Sequence, residues 1–490
     1  MDFEVRRSPV VLISGGGLGG LLLGILLERA GIQYHIFERA SIIKPLGSVM
    51  VLGSTILPVF EQLGLLEDLE RFAVPFKSTT LHSEKTDGKL KQLAILGMKN
   101  EKDIAGYQSQ TFVRHQLYNL LLSRIPPENI TLGKKVLKVV ERDDRIMIYC
   151  SDKSAYVGDI LVGADGSYSA IRQCIYREMA KEKLLPKADA EDLVAGYTCM
   201  VGATTRLDVE KYPKLIGDHC QSEAVLGCES RSWSCWGISD HRICWSLKVQ
   251  YKTLEEAKRQ MFMSSSWHSG SHPAMIKEFE NLPCPLGGTL GDLFEMTPKG
   301  TISKVYLEHK MYTTWYYKRS VLLGDACHKM LPAAGQGAVN ALQDAVILAN
   351  CLYDLEDVSQ ESVTAAFKRY YDQRYTHAKT QFENSELAAK ITTGLNWTDR
   401  WTRTLYLNLL PPSAQQGIFA KTTTYQPQVA FLPLVPFRGT GTVLPQVPST
   451  RYTAEQESYE RGGKEKMNRR ASKLEIEYPA DICFLPPRLQ

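Results

Sequence analysis

A chain of 490 residues is long for one core and is expected to divide into two or three domains, burying roughly three quarters of its unfolded surface. Its 58 Lys+Arg against 54 Asp+Glu leave a net charge of only +4, and no basic aromatic stripe accompanies it, so no nucleic acid is expected as a partner. Eleven cysteines without CxxC pairs or Cys/His ligand spacing argue against a disulfide framework and a metal site; reduced thiols in a cytoplasmic location fit better.

Residues 9–39 organise the rest. An apolar run, Val10 to Ile13, meets Gly15-Gly16-Gly17-Leu18-Gly19-Gly20; a helix-like segment runs to Gly31, and a second short run, Tyr34 to Phe37, ends on Glu38. Strand, glycine turn, helix, strand and acid in this order predict a dinucleotide site. Gly15 permits the tight turn, Gly17 lets a pyrophosphate approach the backbone, and Gly20 lets helix and strand pack closely. Glu38 sits where a carboxylate accepts the hydroxyls of an adenosine ribose. A bulky residue at Gly17 is expected to give colourless, poorly folded protein. Arg6 and Arg7 before an apolar stretch resemble an export signal, but five glycines in six positions break its helical segment and no A-x-A-like cleavage site follows.

Beyond Glu38, residues 44–53 read as a loop of small residues able to lie against a cofactor, and 54–72 as an amphipathic helix. Residues 76–112 alternate like strands. Arg114 opens a compact helix closed by Pro126-Pro127. Short β-like runs fill 130–163, the last leading into Gly163-Ala164-Asp165-Gly166 and a helix starting near Ser169, which again places N–H donors beside a concavity.

From about 190 to 320 the chain is rich in β-branched residues and carries Trp233, Trp236, Trp245, Trp267 and Trp315, predicting an antiparallel sheet with one face free to cover an apolar ligand. A second informative stretch runs from Val321 to Ala338. A buried strand ends at Gly324-Asp325, a loop of small residues follows, and Gly335 to Ala338 opens a helix. Asp325 is placed to accept hydrogen bonds from ribityl hydroxyls, and the small residues leave room for a flat ring. Helices are expected over 361–393. Trp397, Trp401, Leu405 and Leu409 form one stripe, read as core or a dimer face ahead of a lipid-facing surface. The proline-rich 427–448 reads as extended wrapping, and 452–475 as a charged, mobile tail.

GxGxxG with Glu38, then Asp165-Gly166, then GDACHKMLPAAGQGA from Gly324 to Ala338, in this order, resemble the single-component FAD monooxygenases of the para-hydroxybenzoate hydroxylase type over about residues 9–385. Within them the chain is most similar to the fungal branch acting on indole-diterpenes and meroterpenoids, which Phe431-Leu432-Pro433 also suits. The resemblance implies an α/β fold. A Rossmann-like FAD-binding domain (1–75, 106–185, 318–393) interleaves with an antiparallel β-sheet substrate domain (76–105, 186–317). A C-terminal helical and extended segment (394–450) and the tail (451–490) follow. It implies that Gly15, Gly17, Gly20, Glu38, Val51, Arg114, Asp165, Asp325, Gly337 and Ala338 bind FAD, with Val51 standing where that branch often has glycine. Asp165-Gly166 would serve FAD and NAD(P)H, with Arg172 completing the motif. Tyr197, in Gly196-Tyr197-Thr198-Cys199, would line the substrate side as an active-site residue. Val339-Asn340 and Gln343 depart from the usual Asn-Gln and Glu, implying altered flavin packing without loss of binding.

With no second glycine fingerprint, NADPH or NADH is expected as a transient co-substrate. One oxygen atom from O2 would pass, through a flavin C4a-hydroperoxide, to an electron-rich aromatic, prenylated or terpenoid small molecule by hydroxylation or epoxidation. Two alternatives share the flavin site. A flavin-dependent halogenase needs Trp-x-Trp-x-Ile-Pro, whereas Trp233-Ser234-Cys235-Trp236-Gly237-Ile238 has an extra residue between the tryptophans and lacks the proline. A non-catalytic flavin-bound partner protein is disfavoured by the intact motifs. Peripheral membrane contact and oligomeric state stay open.

Overall fold

The structure, a computed structural model, describes residues 8–42, 48–85, 88–97, 100–142, 144–227, 230–251, 253, 255–256, 273–393, 403, 417 and 420–462. The Trp397 to Leu409 stripe, Trp267 and the loop at 44–47 lie outside the described residues. In chain order, the elements that build the site are strand β1 (Val10–Ser14), helix α1 (Leu18–Ala30), strand β2 (Gln33–Glu38), strand β3 (Ile160–Gly163) and helix α2 (Ala170–Lys181). Strands β4 (Val194–Ala203), β5 (Arg242–Gln250), β6 (Ser303–Met311) and β7 (Ser320–Leu322), then helices α3 (Gln336–Tyr353) and α4 (Gln360–Thr393), complete them.

β7, β3, β1, β2 and the short strand Ile130–Leu132 lie side by side and parallel, with Tyr316–Tyr317 added antiparallel at one edge. The inner strands read as unbroken apolar runs because both faces are covered, and Val11 to Ser14 and Ile160 to Gly163 are all buried. Every residue of α1 from Leu18 to Leu27 is buried. Such a helix cannot face water on any side. Gly31 ends it in the left-handed conformation (φ 67°), its N–H meeting the last carbonyls.

A ten-stranded sheet forms the second body. Its spatial order is His328–Lys329, β6, β4, β5, Arg231–Ile238, Cys220–Leu226, Val74–Glu84, Gln110–Val113, Val49–Leu52, with Leu90–Leu96 alongside Val74–Glu84. All pairs are antiparallel except Cys220–Leu226 with Val74–Glu84. One face packs Trp233, Trp245, Leu247, Phe279 and Leu293 into a core; Tyr197, Cys199, Leu307, Leu331 and Ala389 form a separate cluster. The sheet crosses the expected domain boundary, since Val49–Leu52 and Gln110–Val113 pair into it. Trp315, expected with the sheet domain, is fully buried in the nucleotide-side core, ringed by His328, Tyr370, Tyr371 and Tyr375 at 5.2–5.8 Å. A third sheet is a small antiparallel meander of Val136–Arg142, Arg145–Cys150 and Ala155–Gly158.

The expected helix over 54–72 is two, Leu57–Gln62 and Leu66–Glu70, interrupted where Gly64 adopts φ 69°. The proline-rich segment does wrap. Gln62 donates to Val429 O and Pro433 O (both 3.1 Å) and accepts from Val429 N–H (2.9 Å), while Phe431 stacks on Tyr353 at 4.6 Å. The expected mobile tail instead begins with a helix, Thr450–Gly462. Ser449 Oγ accepts the Tyr452 N–H at 3.0 Å, and Tyr353 donates to Glu455 at 2.7 Å. A side-chain cap and a docked tyrosine supply what composition alone could not foretell. Residues 463–490 lie outside the described residues.

Candidate active site

The glycine turn joins β1 to α1 under strict steric limits. Gly15 has φ 110°, and a Cβ there would stand 2.3 Å from Ala164 O and 2.9 Å from Asp165 Cα. A Cβ on Gly20 would stand 2.1 Å from Gly15 O. These two glycines are therefore required by the fold. Gly17 differs: its φ is −74° and nothing lies within 4 Å of its Cβ position. The space over Gly17, at the N-terminus of a 13-residue helix, is open to an anionic group. Because the chain tolerates volume there, the expected folding defect of a bulky residue at 17 is not supported.

Glu38 closes the far side. Its Oε2 accepts the Gly16 N–H and its Oε1 the Ala40 N–H, each at 2.8 Å, which fixes the carboxylate at the tip of β2. Each oxygen keeps lone pairs free for hydroxyl donors.

The Asp-Gly motif adjoins this turn. Asp165 Oδ2 accepts the N–H groups of Ala170 (2.7 Å) and Ile171 (3.3 Å) at the start of α2, and Ser169 caps the helix through Arg172 N–H (2.9 Å). Asp165 Oδ1 is buried without a partner, and burial pushes the carboxyl up despite the hydrogen bonds to Oδ2. An orphaned carboxylate oxygen beside the glycine turn asks for a donor. Arg172 connects this motif to the next. It donates to Ser167 O at 2.7 Å and Ala326 O at 2.8 Å, with its guanidinium 4.2 Å from the Tyr312 ring.

Gly324 takes φ 61°, and Asp325 is reached by Lys329 Nζ (2.6 Å) and Ser167 Oγ (3.4 Å), leaving a third of its side chain accessible. Burial opposes its charge, but Lys329, His328 and Arg114 outweigh that and hold the carboxyl below its ordinary range. Arg114 opens the helix Arg114–Leu122, its N–H donating to Ser48 O at 2.8 Å. Its side chain is exposed, yet surrounding protein lowers its pKa and Asp325 and Tyr118 act on its charge. Burial first, and then the Glu38 charge, pushes the Tyr118 phenol up to about 12, with Arg114 opposing. Gly337 lies with its Cβ position 3.9 Å from Asp325 Oδ1, and Gly335 (φ 67°) precedes the first turn of α3, where Ala338 is half-buried. Val51 is half-buried in Val49–Leu52, opposite Thr111.

A buried ion network beneath the second motif was not legible in the sequence. Asp344 on α3 accepts Gly324 N–H (2.8 Å), His328 Nε2 (2.5 Å) and Arg374 Nε (2.7 Å), and Arg374 on α4 also donates to Asn340 Oδ1 (2.8 Å). Burial disfavours the Asp344 charge, but His328 and Arg374 overcome it and hold the carboxyl at about 2. Asp344 thus fixes the turn that presents Asp325. Cys327, His328 and Asp344 lie within ligand distance of one another, but Arg374 already serves as the cation. Asn340 and Gln343, the departures noted above, are absorbed locally: Asn340 into this network and Gln343 through a 3.1 Å bond to Thr55 O.

Tyr197 lies further along, at a β-bulge. Ala195 faces Glu308 and Tyr197 faces Leu307, so Gly196 is the extra residue that re-aims the strand. Tyr197, Lys248, Leu307, Leu331, Pro332, Ala333, Ala389 and Thr392 line a small, mostly apolar pocket with an open mouth, its enclosed part about the size of one water. Leu331 to Ala333 belong to the segment that runs from Asp325 to α3, so the pocket is lined in part by the chain that follows the third motif. Close contacts thus link Gly15 and Gly20 to the Asp165 turn, the Gly16 N–H to Glu38, Ser167 to Asp325 and Asp325 to Gly337, while Tyr197 lies on the sheet and shares its pocket with the Pro332 loop.

A family model described as FAD binding domain matches residues 8–195 and 292–385. The FAD-dependent monooxygenase ausM of Penicillium brasilianum is 30% identical over 403 residues, covering 80% of each chain. The protein of the same name from Emericella nidulans is 28% identical over 458 residues, covering 90% of each. Among solved structures, Klebsiella pneumoniae HpxO complexed with FAD and uric acid superimposes with a TM-score of 0.69 at 18% identity, covering 87% of this chain and 99% of that one. A salicylate hydroxylase substrate complex does so with 0.61 at 18%, covering 85% and 98%.

Proposed function

Since the chain belongs to the FAD-dependent monooxygenases, with FAD as its cofactor, we propose that it consumes NADPH or NADH and places one oxygen atom from O2 on an electron-rich aromatic, prenylated or terpenoid secondary metabolite. The observation that supports this most is the meeting of three distant segments: Gly15 lies against Ala164 and Asp165, Ser167 reaches Asp325, and the segment after Asp325 lines an apolar pocket at Pro332.

The residues fit the cofactor. Gly17 offers an open backbone N–H at a helix N-terminus for the pyrophosphate, Glu38 offers lone pairs to the adenosine ribose, and Asp325 offers a fixed, partly accessible carboxylate to the ribityl chain. Arg114 brings positive charge to the same space, and Val51, Gly337 and Ala338 present backbone and small side chains to the ring system. When bound, FAD supplies the two-electron redox chemistry that makes O2 reactive toward carbon.

The chain's own tasks are positioning and exclusion of water. Arg172 clamps the Asp165 and Asp325 motifs by two carbonyls, so the two motifs move as one. Leu307, Leu331 and Ala389 keep the cavity apolar, and Tyr197 borders it with an aromatic face and one hydroxyl. With no second nucleotide fingerprint in the chain, the nicotinamide visits the site and leaves.

The test is reduction of the purified yellow protein by NADPH and by NADH, followed by incubation with O2 and an extract of its source organism. The expected result is loss and return of flavin colour and a product heavier by one oxygen atom. Bound FAD that neither nicotinamide bleaches, with any fraction of the extract present, would overturn the proposal.

A further inference from the structure

One cavity residue has a chemistry that the flavin reaction does not require. Lys248 lies on β5 opposite Cys199 of β4, which places it on the face that carries Tyr197, Cys199 and Leu307. The remaining lining is Leu307, Leu331, Pro332, Ala333 and Ala389, with hydroxyls only on Tyr197 and Thr392. The Thr392 hydroxyl donates to its own helix, at 2.9 Å to Ala388 O and 3.1 Å to Ala389 O. No carboxylate lines the cavity, and among the described residues Lys248 has no ion-pair or hydrogen-bond partner.

Charged neighbours on the same sheet are committed elsewhere. Glu308 takes the Tyr168 hydroxyl at 2.5 Å, and Lys310 donates to Asp189 O at 3.3 Å and to Glu191 O. A half-buried lysine against an apolar lining is costly unless something brings it a counter-group, and burial lowers the affinity of its amine for the proton. A methionine or leucine would fill the same volume without that cost.

We propose that Lys248 is a specificity residue whose ammonium receives an ionised oxygen of the substrate, a carboxylate or phenolate, and so orients the ring or alkene toward the Pro332 loop. This rests on the monooxygenase reading and narrows its substrate class to acidic or phenolic molecules. The cation supplies one strong, directional contact in a cavity that otherwise grips only by shape.

The experiment uses the FAD-loaded full chain and two one-ring probes, salicylate and 2-methoxybenzamide, which has neither a carboxylate nor an ionisable phenol, titrated while the spectrum of the bound flavin is followed. Wild type is expected to bind salicylate at least tenfold more tightly than the neutral amide. Lys248→Met should bring the two within about twofold, and Lys248→Arg should restore most of the preference. A Lys248→Met protein that keeps the preference, or a wild type that binds neither probe or both alike, overturns the inference. Thermal unfolding of both variants separates a folding defect from a binding one, and the Arg variant decides the matter if the Met variant fails to fold. A protein that is yellow and bleached by NADPH yet fails these titrations loses only this inference. A protein never bleached by either nicotinamide loses the monooxygenase reading as well.

Discussion

The two alanine substitutions Gly20→Ala and Gly17→Ala separate what the fold needs from what the cofactor needs. At Gly20 the new methyl would stand 2.1 Å from Gly15 O and 3.3 Å from Ala164 Cβ, so turn and helix must part by roughly an ångström. Overpacking of this kind costs about 1–3 kcal/mol, against which alanine returns at most about 1 kcal/mol of helix propensity. At Gly17 the methyl meets nothing within 4 Å and φ is already −74°, so the fold should change by no more than a few tenths of a kcal/mol. Displacing a pyrophosphate from its backbone N–H there forfeits a charge-assisted hydrogen bond worth about 1.5–3 kcal/mol, a roughly 10- to 150-fold loss of FAD affinity. Urea unfolding of the deflavinated proteins gives the first quantity, and quenching of flavin fluorescence on titration gives the second. If Gly17→Ala binds FAD within threefold of wild type, the cofactor does not approach this turn and the reasoning fails.

Three further outcomes follow from the site. Asp344→Asn leaves Arg374 as an uncompensated buried charge, so unfolding stability should drop by about 3–5 kcal/mol and FAD should be released at lower denaturant; a loss under 1 kcal/mol would show the network to be dispensable. His377, stacked 4.1 Å from the Tyr425 ring, is held at about 3 by burial first and then by Arg374. Its folded value lies below its unfolded value of about 6.5, so the unfolded chain binds the proton first and stability falls by up to about 1.4 kcal/mol per unit as pH drops below 6.5. His377→Phe should flatten that limb in urea titrations between pH 6.5 and 4, and an unchanged slope counts against the assignment. The Asp344 carboxyl titrates near 2 against an ordinary 3.8, so its own contribution stays whole above about pH 4 and is lost only as pH falls toward 2. Arg172→Lys cannot span Ser167 O and Ala326 O together, so FAD should bind at least tenfold more weakly while the far-ultraviolet spectrum is kept; full retention of affinity would rule out the clamp.

What the sequence disclosed was local. Gly20 against Gly15 and Glu38 on the Gly16 N–H follow from one strand–turn–helix–strand unit of about thirty residues, and Asp165 caps a helix five residues on, whereas the approach of Ala164 to Gly15 had no local sign. Asp325 was legible because small residues ran on after it. Asp344 and Arg374 were not, because each looks like an ordinary helix residue until three separate segments fold onto one another. Trp315 was assigned to the wrong core for a related reason: composition marked it as part of the β-rich middle, but the chain had already turned back toward the parallel sheet. Lys248 carried no signal at all, since strand position alone does not reveal which face a neighbouring loop will cover. The helix at Thr450–Gly462 was hidden by its charge, which faces outward while Tyr452 and Arg451 make the contacts inward.

The segment from Leu331 to Ala333 lines the apolar pocket and runs straight into α3, whose first turn sets Gly337 beside Asp325. A partition tied so closely to the Asp325 turn is poorly placed to vary, because a change in it is carried to both ends. Positions 197, 199, 248, 305 and 307 lie on one face of the sheet, on or beside the pocket lining, and hold no place in the three motifs. A lineage, or an engineer, seeking a different metabolite would therefore make its changes on the sheet and leave the partition alone.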